Sequence, residues 1–146
     1  MGGVSVTAWY LFESSARAHT ISVVQEEGGY LLGKVLWALY GAREVTTPGA
    51  GATGPVLTIV KWDTSVGDPL LITNTGTDLT LKRGTATAEV LNNVDVWITN
   101  LTFTHVKGSG DGINPDSVRT SFMLSMRTPN GMIVSRNFSG VSYLRQ

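Results

Sequence analysis

Thr128-Pro129-Asn130-Gly131, flanked by Val118 to Arg127 and Met132 to Phe138, is the stretch whose reading decides the fold. Asn-Gly is the strongest short hairpin signal, because tight hairpin turns need positive φ, which Asn and Gly adopt at little steric cost. An antiparallel strand pair is therefore expected here. A long loop, Gly108 to Ser117, leads into it, and Gly140 to Leu144 follows as a closing strand.

Upstream, short runs of strand-forming residues recur at even intervals: Val56 to Trp62, Pro69 to Thr73, Leu79 to Lys82, Thr85 to Leu91, Val94 to Thr99 and Leu101 to Lys107. Thr73 to Asp78 and Lys82-Arg83-Gly84 supply the turns between them. Composition agrees. The chain holds 16 valines, 6 isoleucines and 18 threonines, whose branched side chains suit a pleated surface better than a helix. The expected fold is all-β: one domain over residues 1–146, a sandwich or barrel of about ten short strands, jelly-roll-like arrangements included, with long Gly-rich loops and little helix.

The N-terminal third fits this scheme less directly. Val4, Val6, Ala8, Tyr10 and Phe12 alternate with Ser5, Thr7, Trp9 and Leu11, which reads as a strand. His19 to Gln25 reads as a second one, closed at Glu26-Glu27-Gly28-Gly29. From Tyr30 to Val45 nearly every position is apolar; Leu32, Val35, Leu36 and Leu39 fit a helical stripe, but Gly33 and Gly41 interrupt it. One or two buried strands with a helical turn are expected. Thr46 to Pro55 must be a loop. Its Pro48, Gly49, Gly51, Gly54 and Pro55, with no charge and no large side chain, suggest a segment mobile alone and ordered against a partner.

Much chemistry is excluded by composition. There are no cysteines, so disulfides, thiolate metal sites and cysteine nucleophiles fall away. Eleven basic residues balance eleven acidic ones, which removes the footprint of a general nucleic-acid binder. No apolar run reaches the length of a membrane span, and the start lacks the pattern of a signal peptide. Charged residues are only 15%, so the hydroxyl-rich surface repels its own copies weakly.

Motifs are equally spare. Gly49-Ala50-Gly51-Ala52-Thr53-Gly54 matches a dinucleotide fingerprint in letters, but Pro55 and a β-branched run follow where a helix should start. Asp111, Asn114 and Asp116 are oxygen donors in a flexible loop, weak metal candidates that miss the spacing of a calcium loop. The two histidines, His19 and His105, sit in expected strands; His105 shares a face with Leu101 and Phe103 and reads as a partly buried, hydrogen-bonded ring. Exposed aromatics carry more information, since Trp and Tyr serve interfaces and sugar platforms alike. Trp9, Trp62, Tyr10 and Tyr40 are the candidates.

The expected function is non-enzymatic and structural. No catalytic residues and no cofactor are expected; the partners are further copies of the chain and a larger protein assembly, such as a viral or phage capsid, capsid-decoration or tail protein, with no nucleic acid. Pro48 to Pro55 is the expected assembly loop. The alternative is a lectin-type module binding glycan through its aromatic rings. An enzyme would need a cleft uniting His19 or His105 with an acid, and an imidazole hydrogen-bonded to a carboxylate at a solvent-lined pocket would overturn the structural reading.

Overall fold

A computed structural model describes residues 2–145, the side chains of residues 2–13 and of Val66 excepted. Nine strands form two antiparallel sheets. The first contains β1 (Ala42–Thr47), β3 (Leu57–Lys61), β4 (Leu70–Thr75), β5 (Asp78–Arg83) and β6 (Glu89–Val90), in the order β1-β3-β4-β5-β6; the second contains β2 (Thr53–Gly54), β7 (Val96–Val106), β8 (Ser117–Arg127) and β9 (Ile133–Tyr143), in the order β2-β7-β8-β9. The protein is an all-β sandwich.

The deciding hairpin is present. β8 pairs with β9 from Arg127↔Ile133 to Ser117↔Tyr143, around a turn in which the Gly131 amide donates to the Thr128 carbonyl and Gly131 has a φ of 86°. The arms are longer than the sequence suggests. β9 runs through Gly140 without a break, and β7 joins the runs on either side of Asn100, whose φ of 56° accompanies a register shift between Thr99 and Thr102. One bulge thus replaces an expected strand boundary, because an αL residue lets the strand bend without ending.

The N-terminal third corrects the expectation. Gly2–Leu39 is a single helix, α1, so the strands expected at Val4 to Phe12, at His19 to Gln25 and within Tyr30 to Val45 are helical up to Leu39, and β1 follows at once. The stripe that holds it consists of Thr20, Val24, Gly28, Leu31, Val35, Ala38 and Leu39, all buried at helical spacing. Burying such aliphatic side chains contributes roughly 1.5–3 kcal/mol each, enough to override the poor helix propensity of Val and Gly.

Gly28 and Gly29, expected to turn the chain, lie inside the helix instead. A Cβ on Gly28 would stand 2.0 Å from the ring of Phe138, whereas one on Gly29 would meet nothing within 4 Å. Gly28 is the notch that lets β9 approach. Phe138 in turn stacks on Phe122 at 5.5 Å, and Gly140 lies under Leu32. α1 therefore covers β8 and β9 on the core side. One continuous core joins helix and sheets through Leu31, Val35, Leu57, Ile59, Phe103 and Phe122.

Candidate functional site

His105 is the most connected polar residue at one end of the sandwich. Alternation along β7 puts it on the face of Leu101 and Phe103, and it is buried. Nδ1 lies 3.0 Å from the Pro48 carbonyl, and Nε2 lies 3.1 Å from Oδ2 of Asp116. A carbonyl oxygen only accepts, so Nδ1 carries a proton; the bond to the carboxylate is completed when Nε2 carries one too. Asp116 also accepts from the Gly108 amide at 2.7 Å. That amide first, and the His105 ring after it, hold the Asp116 carboxyl below the usual carboxylate range.

These bonds tie both long loops to β7. The Gly51 amide donates to the His105 carbonyl at 2.7 Å, the His105 amide donates to the Ala52 carbonyl at 3.0 Å, and β2 pairs Gly54 with Phe103. Pro48 is buried, while Gly49 and Pro55 are exposed. The loop expected to need a partner for its order is thus bonded by its own chain, through a two-residue strand that its small side chains admit. The Asp116 carbonyl accepts from the Leu144 amide at 2.7 Å, which brings the C-terminal segment to the same place.

Three clefts open around this end. One of about 400 Å³ is lined by Arg43, Glu44, Thr46, His105, Asp116 and Arg145. A second, of about 630 Å³, lies between Tyr40, Asn114, Tyr143 and Arg145, and a third of about 430 Å³ lies beside Lys107 and Tyr143. An imidazole and a carboxylate therefore do meet at a solvent-lined cleft, the arrangement expected to overturn the structural reading. A general base needs a free nitrogen within reach of the proton it abstracts, and both His105 nitrogens are engaged with oxygens of the chain itself. His105 is a staple in this geometry.

The expected metal donors do not converge. Asp111 accepts from the Ser109 hydroxyl and from the Ile113 and Asn114 amides, bonds that keep its carboxyl below the usual range, with the hydroxyl the largest cause. Asn114 gives its carbonyl to Ser109, and Asp116 is committed to Gly108 and His105. Among the described residues no group of three His, Cys, Asp or Glu side chains could hold a metal ion, and no helix is long and apolar enough to cross a membrane.

The expected aromatic residues separate. Trp62 at the end of β3 is 67% exposed, with the Arg43 guanidinium 5.9 Å from its ring. Tyr40, just past α1, is 69% exposed and carries Arg145 at 6.0 Å. Trp9 and Tyr10 fall within α1 rather than on a strand, and their side chains lie outside the described residues. His19 is exposed on the helix, far along the chain from the stapled end.

The free edge of the second sheet falls on β9, into which the expected closing strand from Gly140 is merged. β9 is 11 residues long and, among the described residues, pairs only with β8. Its outward positions Ile133, Val141 and Tyr143 are all exposed, and Arg136 is its single charge. The signal was the uninterrupted strand chemistry on both sides of Gly140. The fold thus defines a two-layer all-β sandwich with a long helix set against its second sheet. Compared with known proteins, no family model, no curated protein and no solved structure matches the chain.

Proposed function

We propose that this protein is a non-enzymatic structural subunit that associates with further copies of itself and, through them, with a larger protein assembly of the capsid, capsid-decoration or tail kind. The observation that carries this reading is the open edge of β9. An edge strand of a monomer is ordinarily short, bulged, proline-broken or charged, because its unpaired N–H and C=O groups recruit other strands. β9 is long, regular and proline-free with one charge, and exposed Ile133, Val141 and Tyr143 beside it offer apolar contact. Strand addition supplies the backbone bonds, and the low surface charge removes the repulsion that would oppose it.

Sedimentation equilibrium at micromolar concentration tests this. Oligomers are expected, and Ile133→Lys/Val141→Lys should weaken association at least tenfold while the melting temperature stays within a few degrees. A monomer at every concentration, or association indifferent to both lysines, would refute edge pairing.

Exposed Trp62 and Tyr40 favour a second reading, a glycan-binding module. It predicts saturable sugar binding that Trp62→Ala abolishes without changing the oligomeric state.

A further inference from the structure

We propose that Lys34, Lys61 and Arg83, gathered around the indole of Trp37, form a receptor for a tetrahedral oxyanion, the phosphoryl or sulfuryl group of a ligand. Trp37 lies on the last turns of α1, where the helix end meets the ends of β3 and β5, and it is 39% exposed. Lys61 Nζ lies 4.3 Å from its ring centroid, the Arg83 guanidinium 5.6 Å and Lys34 Nζ 5.8 Å. Lys34 also lies 5.7 Å from the Tyr30 ring. Three elements separated along the chain, α1, β3 and β5, thus bring three cationic groups to one side chain.

No carboxylate forms an ion pair with them: among the described residues the one pair within 4.0 Å is His105 with Asp116, at the other site. Asp68, which accepts from the backbone amide of Lys61 at 3.0 Å, and Asp63, which accepts from that of Ser65 at 3.0 Å, keep their charge and offset the three cations in part. Lys61 is only 7% exposed and gives one of its three protons to the Trp37 carbonyl at 3.2 Å. That contact uses the negative end of the helix, worth about half an elementary charge, against three cations. Indole faces attract cations but do not neutralise them. Burial and the neighbouring Arg83 both press the Lys61 ammonium toward losing its proton, while Asp63 offsets them only in part. An anion bound beside these groups relieves that conflict, and a tetrahedral oxyanion presents enough oxygens to accept from all of them.

The site uses no residue of β9, so its success or failure is independent of the assembly reading. The test is a titration with inorganic phosphate at low salt, followed by the indole N–H resonance of Trp37, with chloride at matched ionic strength as control. Expected is a saturable shift confined to Trp37 and its neighbours, in the millimolar range, that chloride does not reproduce. Lys61 also closes the helix end, so the variants Lys34→Gln and Arg83→Gln carry the comparison; each should weaken binding at least threefold with the spectrum otherwise unchanged. An equal response to chloride, or phosphate binding unaltered in both variants, would overturn the proposal. A sugar phosphate and a sulfated disaccharide titrated alongside identify, by the tighter of the two, which ester is the ligand.

Discussion

The two faces of β8 are built from alternate residues of one strand and have opposite fates. Val118, Phe122 and Leu124 are at most 1% exposed and meet α1 and the first sheet. Arg119, Ser121 and Met123 face away, in rows shared with neighbouring strands: Thr102 beside Ser121 beside Ser139, and Thr104 beside Arg119 beside Val141. Intrinsic strand preference cannot distinguish these faces, since branched and hydroxyl residues occur on both. What differs is the covering layer. The inner face carries stability, and the outer face, hydroxyl-coated and nearly chargeless, has no covering layer among the described residues.

The sharpest way to break this contrast is to remove the largest inner side chain of β8. Phe122→Ala should cost about 3–5 kcal/mol, seen as a drop in the denaturation midpoint, because it empties the space where Phe122 stacks on Phe138. A loss under 1 kcal/mol would mean that the two layers are not packed as one core.

The stapled end comes next. His105→Ala should destabilise by roughly 2–4 kcal/mol by leaving the Pro48 carbonyl unpaired and Asp116 with the Gly108 amide alone. The carboxyl of Asp116 is held low in the folded state, so its contribution is complete above the usual carboxylate range and is lost as pH falls through the depressed value. Acid melting curves should therefore flatten in Asp116→Asn. An unchanged pH profile would dismiss the staple.

The smallest effect separates two adjacent glycines. Gly28→Ala gains about 1 kcal/mol of helix propensity but drives a methyl group into the Phe138 ring, at an overpacking cost of about 1–3 kcal/mol, so a net loss of about 1 kcal/mol is expected. Gly29→Ala meets open space and should stabilise by about 0.5–1 kcal/mol. Equal effects of the two would place the helix wrongly on the sheet.

Turn chemistry made the sheets legible. Asn130-Gly131, the turn at Gly76 and the turn at Gly84 are where the chain reverses, and all three glycines have positive φ. The helix was not legible for a related reason: Gly28 serves an approach made by Phe138, more than a hundred residues later, and nothing local distinguishes such a glycine from a turn residue. The period-two pattern of Val4 to Phe12 is a coincidence of apolar residues on a helix. At the site, the buried face of His105 followed from alternation along β7, but its pairing with Asp116 depends on how the intervening loop closes on Gly108. The cations around Trp37 were hidden because Lys34 and Trp37 share a helical face only once that segment is known to be helix.

The Phe138 ring in its notch also sets a length. Gly28 meets Phe138 and Leu32 meets Gly140, so helix and strand advance in the same direction at nearly equal pace. From that fixed point α1 reaches back 26 residues to Gly2, about 39 Å at 1.5 Å per residue, whereas β9 reaches back five to Ile133, about 17 Å. The helix therefore overshoots its strand by roughly 20 Å, a rod whose reach is metered by a single missing methyl group.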